Sequence, residues 1–294
     1  MPKRPTAREI ETDAAGRRGA RGPPGPLRSE PLRMLRRRGL APSLARPDLP
    51  LPPGAGEPLA RAFAARLRHY AFRLFLRGAI LAPGGFAPGR ATRYVPARTG
   101  RRYAEELVAW GLARRLPGGR YRLLYGARSF GGTLEWWLAR ELRERLGFEV
   151  EVGVRSGARG VGGDLDVVAA AEGKLVYLET KSSPPKHILQ AEVEAFLRRV
   201  RAVRPDVALF VVDTALRLSD KVLPMFADAL GEEASAARRM FRETWALGPH
   251  LFVVNAREDL VENVCRAVAE GIRNLGPDFP LGADARRVGQ PPRG

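Results

Sequence analysis

The sequence predicts an α/β protein with a mixed central sheet, preceded by a smaller helical domain. In the second half of the chain, apolar runs of strand length alternate with helical patterns, which is typical of a sheet with parallel strands at one side. In the first half, apolar residues at helical spacing lead into two short strands joined by a Gly-Gly turn. Both folded regions lie between polar ends, so we expect two domains and two unstructured termini.

The 294 residues divide into four expected segments. Residues 1–56 are dominated by Pro, Gly, Arg and Ala and carry no long apolar period, so we expect them to be disordered. Residues 57–127 are expected to form the helical domain and residues 128–281 the α/β domain. Residues 282–294 are polar and are expected to form a flexible tail.

The helical domain is expected to contain three helices and a hairpin. Its first apolar period is interrupted by Pro83-Gly84-Gly85, and Thr99 can cap the last helix. A Gly stop, a short strand, a Gly-Gly turn and a second short strand then follow, which is how a wing is built. The expected helices span 57–81, 88–94 and 99–109, and the wing lies within 110–124.

This order of elements resembles winged helix-turn-helix domains in general, and the resemblance implies DNA binding. The recognition helix would lie near residues 99–109. Arginines on or next to that helix, on or beside the wing, and on or next to a Gly-rich loop at 156–163 are expected to contact phosphates, which position a protein on nucleic acid without reading its sequence. These residues are Arg98, Arg101, Arg102, Arg114, Arg115, Arg120, Arg122, Arg155 and Arg159. A winged-helix fold that serves only protein contacts is the alternative.

The charge distribution favours nucleic acid. The chain has 50 Lys and Arg against 32 Asp and Glu, a net charge of +18. Residues 59–128 hold 15 basic and 2 acidic residues, whereas residues 129–294 hold 23 basic and 24 acidic ones. The excess positive charge therefore lies ahead of the α/β domain, where it would attract a polyanion. An Arg-rich composition alone does not explain this imbalance between segments.

The α/β domain is expected to begin with a helix that packs on the sheet together with its residues Trp136 and Trp137. Strands and helices then alternate up to residue 275, and the apolar residues of each strand indicate burial. The expected elements, in chain order, are a helix at 133–146, strands at 148–154, 164–171 and 174–181, a helix at 186–201, a strand at 207–213, helices at 218–230 and 232–245, a strand at 250–255 and a helix at 258–275.

Acidic residues and a lysine stand on two neighbouring strands of this domain. Asp166 lies on one strand, and Glu179 and Lys181 lie on the next. Because Glu179 and Lys181 are two residues apart, their two side chains share one face of that strand. Thr180 points to the other face and offers its backbone carbonyl. Carboxylates and a carbonyl are ligands suited to Mg²⁺ or Mn²⁺, and the lysine can orient or polarise an attacking water. This pattern predicts metal-assisted phosphodiester hydrolysis.

The same residues, in this order of elements, resemble the PD-(D/E)XK, or restriction-endonuclease-like, nuclease superfamily over roughly residues 129–215. The similarity is nearest to archaeal Holliday-junction resolvases and Mrr-like nucleases. The resemblance implies a mixed sheet flanked by helices, with Asp166 and Glu179 as metal ligands and Lys181 as the catalytic lysine. It also implies that Glu135, on the first helix, supports a metal.

The pattern leaves two residues open. Leu165 stands where the superfamily motif has proline, and Asp164 competes with Asp166 because both would share a strand face. The apolar run after Asp166 matches the family and favours it. Gln190, at the start of the following helix, is a further candidate, although a solvated helix face is the better explanation for it.

We therefore expect a Mg²⁺- or Mn²⁺-dependent endonuclease that cuts duplex or branched DNA in defence or repair. The alternatives are a DNA-binding protein with a silent nuclease fold and a ribonuclease, so RNA stays open as a partner. Many nucleases of this fold act as dimers, so a homodimer is a further expectation. No apolar stretch approaches membrane-spanning length, and the single cysteine, Cys265, excludes an intramolecular disulfide; these features indicate a cytoplasmic protein without a membrane partner.

Overall fold

The computed structural model describes residues 29–157, 162–231 and 236–276. The predicted tail at 282–294 and the first half of the segment predicted to be disordered lie outside these residues. Among the described residues, no helix combines the length and apolar character needed to cross a membrane.

A mixed eight-stranded sheet forms the centre of the described chain. Its strands follow the order β1-β4-β5-β6-β7-β10-β9-β8. Strand β7 is parallel to both β6 and β10, and the other neighbours are antiparallel, as the predicted mixed sheet requires. The strands are β1 Ser43–Leu44, β4 Glu149–Arg155, β5 Asp164–Ala171, β6 Lys174–Lys181, β7 Val207–Val212, β8 Arg238–Phe241, β9 Thr244–Ala246 and β10 Leu251–Asn255, and a separate hairpin pairs β2 Ala113–Leu116 with β3 Arg120–Leu123.

Helices cover both faces of the sheet and create two apolar layers. On one face, α5 and α8 share an apolar cluster with the sheet and with α2, α3 and α4. On the other face, α1, α6 and α7 complete the core. The predicted α/β class with a mixed sheet flanked by helices is confirmed. The helices are α1 Glu30–Arg37, α2 Glu57–Leu67, α3 Tyr70–Ile80, α4 Ala97–Ala109, α5 Gly131–Leu146, α6 Gln190–Val203, α7 Val222–Leu230 and α8 Leu260–Arg273.

The central strands are rich in apolar residues because helices cover both faces of the sheet. Every residue of β7 is buried, and its sequence, Val-Ala-Leu-Phe-Val-Val, suits a parallel strand between two helical layers. Strands β5 and β6 span the residues that their apolar runs predicted. Trp137 on α5 is buried against the sheet, also as predicted.

Residues 57–123 fold into three helices and the hairpin, around an aromatic core. The rings of Phe72 and Tyr103 meet at 5.2 Å between centroids, and Phe86 pairs through its backbone with Tyr121 on the hairpin. The apolar contacts continue into the α/β region, where the ring centroid of Phe63 lies 6.0 Å from that of Trp136. The predicted boundary near residue 127 stays a prediction, since one apolar cluster includes residues from both sides of it.

Some predicted helix limits in this region are wrong. The helix expected at 57–81 is two helices, because the chain turns at Arg68 and His69 between α2 and α3. Thr99 does not cap α4, which begins at Ala97 after Pro96. The helix expected at 88–94 is a single 3-10 turn, Pro88–Arg90.

The prediction of disorder is wrong for residues 29–56. Leu35 on α1 is buried in one apolar layer of the sheet and Leu51 in the other. The segment has too few apolar residues for a core of its own, but it shares the core of the α/β region. A local composition argument cannot detect such burial.

The helix predicted at 232–245 is also wrong for its described part. Residues 238–246 form the β8–β9 hairpin instead, with Arg242 in the left-handed region at φ 50° between the strands. Cross-strand pairing of Arg239 with Trp245 at the sheet edge outweighs the helical spacing of the apolar residues.

Candidate active site

Asp166 lies where the pairing between β5 and β6 ends. The last paired residues on this side are Val167 and Leu178, and the two strands separate beyond them. The carboxylate of Asp166 fills the gap, since its Oδ2 accepts hydrogen bonds from the backbone N of Thr180 at 2.7 Å and from Thr180 Oγ1 at 3.1 Å. We expected Thr180 to contribute only its backbone, but its side chain also holds Asp166 in place.

A cavity of about 570 Å³ opens in front of Asp166. Helix α5 supplies one wall, with Glu135 near its start, and the edge strand β4 supplies another. Asp164 faces the same cavity, as its shared strand face predicted. The charged residues of the lining are Asp48, Glu135, Asp164 and Asp166 with Arg46, Arg128 and Arg155.

The carboxylates around this cavity repel one another. Burial, reinforced by the charges of Glu179, Asp164 and Asp48, raises the pKa of Glu135 from 4.5 to about 7. Burial together with Glu179 and Glu135 raises the pKa of Asp166 well above its usual range, against the opposing hydrogen bond from Thr180. Groups shifted by desolvation and by each other's charge are characteristic of functional sites.

Glu179 and Lys181 share one face of β6, as predicted. Lys181 Nζ lies 3.0 Å from Glu179 Oε1 and 3.0 Å from Glu192 Oε1. Burial alone would lower the pKa of Lys181, but these two carboxylates overcome it and raise that pKa. The amine is therefore a cation at neutral pH, able to orient an anion or a water molecule rather than to act as a base.

Arg199, which the sequence analysis missed, holds Glu179 from α6. Its Nη2 lies 2.7 Å from Glu179 Oε1, its Nε donates to Tyr177 Oη at 2.9 Å and its Nη1 donates to Gly162 O at 3.0 Å. Tyr177 in turn donates to Glu179 Oε2. Helical spacing could have identified Arg199, because it follows Phe196 by three residues and so lies on the buried stripe of the helix.

A second buried charge cluster anchors the adjacent strand. Asp213 directly follows β7, and its backbone N donates to Lys181 O at 2.8 Å. Its carboxylate pairs with Arg73 at 2.9 Å and with Arg77, both from α3. Asp213 and Arg73 are 0% and 2% exposed, so this cluster joins the helical region firmly to the end of β6.

The predicted phosphate-binding arginines fall into three groups. Those with exposed side chains and no ion-pair partner among the described residues are Arg98, Arg101, Arg102 and Arg114. Others are bound within the fold: Arg115 pairs with Glu105, Arg120 donates to Gly85 O and Arg122 donates to Pro83 O. Arg155 lies 3.5 Å from Asp164 at the cavity, and Arg159 lies outside the described residues.

Gln190 is not brought to the cavity. Its side-chain amide donates to Met225 O at 3.1 Å, which joins the start of α6 to α7. Asp48 is the opposite case, since sequence reasoning placed it in a disordered segment and the structure places it in the lining.

The donor chemistry of the site suits a divalent cation. Mg²⁺ and Mn²⁺ prefer carboxylate and carbonyl oxygens, and a cation would relieve the repulsion between Glu135 and Asp166. The side-chain positions are not those of a preformed metal centre: within the described ranges, no three His, Cys, Asp or Glu side chains have metal-site spacing. Glu179 is engaged by Arg199, Tyr177 and Lys181 instead.

No protein-family model matches the chain, and no curated protein matches it. A solved structure that is similar, the crystal structure of protein VC1899 from Vibrio cholerae, has a TM-score of 0.49 and 15% sequence identity. The match covers 82% of this chain and 62% of that chain, so this chain spans less than two thirds of its length.

Proposed function

We propose that this protein is a metal-dependent nuclease that hydrolyses phosphodiester bonds in DNA. The observation that supports this most is that Glu135 and Asp166 line one cavity, while Glu179, paired with Lys181 on β6, is near enough for its charge to raise the pKa of both. The first two carboxylates have raised pKa values, and the lysine stays charged beside them. This is the donor set, in strand order, that the resemblance to PD-(D/E)XK nucleases implies.

Each residue has a separate task in this proposal. Asp166, Glu179, Glu135 and the main chain of Thr180 would hold Mg²⁺ or Mn²⁺, which when bound lowers the pKa of water and neutralises charge on the phosphate. Thr180 fixes the orientation of the Asp166 carboxylate through two hydrogen bonds. Lys181 orients the attacking water or the phosphate through its positive charge, and Arg199 restrains Glu179.

The region from residue 57 to residue 127 would bind the DNA as a winged-helix domain. Three helices followed by a hairpin support that assignment. The four exposed arginines on α4 and the hairpin that have no ion-pair partner in the described ranges would contact phosphates.

One observation favours a second candidate, a DNA-binding protein whose nuclease fold is silent. Glu179 accepts contacts from Arg199, Tyr177 and Lys181 at the same time, and a carboxylate so engaged must exchange a partner before it binds a cation. An active enzyme therefore has to reposition Glu179 when metal and substrate arrive. A silent protein would keep these contacts permanently.

The deciding experiment is cleavage of plasmid, linear, single-stranded and four-way-junction DNA, and of RNA, with Mg²⁺ or Mn²⁺. The informative variants are Asp166→Asn and Lys181→Ala. Their matched controls are Asp228→Asn, on the exposed face of α7, and Lys174→Ala, at the other end of β6. We expect metal-dependent cutting that both site variants lose and both controls keep. Tight, salt-sensitive binding by every variant without any cutting would establish the silent alternative.

A further inference from the structure

Residues 40–52, here called the strap, wrap around the edge of the sheet beside the cavity. Leu40, its first residue, lies in the apolar layer on one face of the sheet, and Leu51, near its end, lies in the layer on the other face. Between them it adds β1 to the edge strand β4, and Ala41 N and Ala45 N donate to Ser156 O and Gly153 O, each at 2.9 Å. The strap is thus fixed at both ends and along its length.

Two glycines let the strap lie directly against the α/β region. A Cβ on Gly132, at the start of α5, would stand 2.6 Å from Asp48 O. A Cβ on Gly157, which has φ +66°, would stand 2.7 Å from Ala41 O. Contacts this short leave no room for a side chain at either glycine, so the strap packs against the α/β region in one defined position, here called its seat.

The strap brings Arg46 and Asp48 into the cavity that contains Glu135 and Asp166. The Asp48 carboxylate accepts the backbone N of Arg128 at 3.0 Å, which fixes the strap to the turn before α5. Arg46 is exposed, and within the described parts of the chain no acid or hydrogen-bond acceptor pairs with it. The other lining arginines have partners, Arg155 with Asp164 at 3.5 Å and Arg128 with Asp48 at 3.9 Å.

This distribution of charge points to a role for Arg46. Four carboxylates line the cavity, and they repel any phosphodiester that approaches Asp166. A guanidinium free of internal partners can bind a phosphate with two hydrogen bonds and offset that repulsion. We propose that the strap is a substrate-binding wall of the active site and that Arg46 binds a phosphate of the polynucleotide strand being cut. This inference rests on the proposed nuclease function.

The first test compares Arg46→Ala with Arg273→Ala, which removes an arginine beside β8 at the opposite edge of the sheet. Cleavage kinetics and, separately, binding of a fluorescein-labelled DNA in EDTA are measured with both. We expect Arg46→Ala to raise KM and Kd about tenfold with kcat little changed. We also expect it to reduce the slope of log K against log salt by about 1, while Arg273→Ala matches the wild type.

A second test asks whether the seat of the strap matters. Gly132→Ala places a methyl group against the Asp48 carbonyl, whereas Gly131→Ala meets its nearest atom, Ser129 Oγ, at an ordinary 3.4 Å. We expect Gly132→Ala to speed amide hydrogen exchange at Ala41 and Ala45 and to raise KM as Arg46→Ala does. Gly131→Ala should leave exchange at both amides unchanged.

The outcomes separate the two proposals. If the wild type cuts DNA and Arg46→Ala behaves like Arg273→Ala, the role of Arg46 is overturned while the nuclease function stands. If the wild type binds DNA through Arg46 in EDTA but never cuts it, the nuclease function is overturned and the binding wall stands. A wild type that neither binds nor cuts DNA or RNA overturns both.

Discussion

Two aspartates on neighbouring parts of the sheet differ sharply in how their charge is compensated. Asp213, at the end of β7, is fully buried and pairs with Arg73 and Arg77. Asp166, at the start of β5, is recessed beside the cavity, and in the described residues no cation forms an ion pair with it. Thr180 is its hydrogen-bond donor, and burial, followed by the charges of Glu179 and Glu135, raises its pKa.

The difference indicates that Asp213 serves stability, whereas Asp166 lacks a cationic partner among the described residues, as the proposed role of a metal ligand requires. A buried carboxylate with two guanidinium partners has its charge satisfied and joins two parts of the fold. A carboxylate held near other carboxylates destabilises the fold, and such an arrangement is expected where a ligand supplies the missing positive charge. Glu179 lies between these extremes, since Arg199 and Lys181 compensate its charge while its own charge raises the pKa of Asp166.

The largest expected effect is on cleavage. Asp166→Asn keeps the shape of the side chain but removes its charge, so we expect DNA cleavage to fall by at least about a thousandfold. The thermal unfolding midpoint should stay the same or rise, because the repulsion is removed. Cleavage assays and calorimetry on one preparation measure both. A variant that cuts normally would remove Asp166 from the site.

The reverse pattern is expected for Asp213→Asn. Removing this charge leaves Arg73 buried without a charged partner, which costs about 3–5 kcal/mol in the free energy of unfolding. Urea denaturation followed by tryptophan fluorescence measures this loss. Folding stability unchanged from the wild type would contradict the structural role assigned to the Asp213 cluster.

A smaller, pH-dependent effect is expected for Glu135→Gln. The pKa of Glu135 is raised from 4.5 to about 7 in the folded protein, so the folded state holds the proton more tightly than the unfolded state. Folding stability therefore falls as pH rises through this interval, and the penalty is complete above it. In EDTA, we expect Glu135→Gln to stabilise the protein by about 2 kcal/mol at pH 8 and negligibly at pH 4. Equal stabilisation at both pH values would show that packing, not charge, is responsible.

The smallest effect is expected for Arg199→Lys. The lysine keeps the positive charge near Glu179 but cannot contact Glu179, Tyr177 and Gly162 together, so we expect about tenfold slower cleavage. The KM for DNA should change little, because Arg199 acts through Glu179 rather than on the substrate. If Arg199→Lys instead raised KM alone, Arg199 would belong with the DNA-binding residues.

The parts of the site that could be predicted are those encoded by local spacing. Glu179 and Lys181 share a face because side chains alternate along a strand, and the limits of β5 and β6 follow from their apolar runs. Asp48 and the Arg73–Asp213 pair could not be predicted, because residues far apart in sequence meet only in the fold. The β8–β9 hairpin was missed because edge pairing, not apolar spacing, determines it.

The strap also affects the order in which the molecule can be completed. Its strand β1 is synthesised before β4, yet Ser43 pairs with Arg155 on β4, which follows the whole helical region along the chain. Such long-range closure is entropically costly and tends to come late in folding. A chain that is still being synthesised would therefore contain Arg46 before the cavity has formed. The site would be complete only when β1 pairs with β4 at the edge of the sheet.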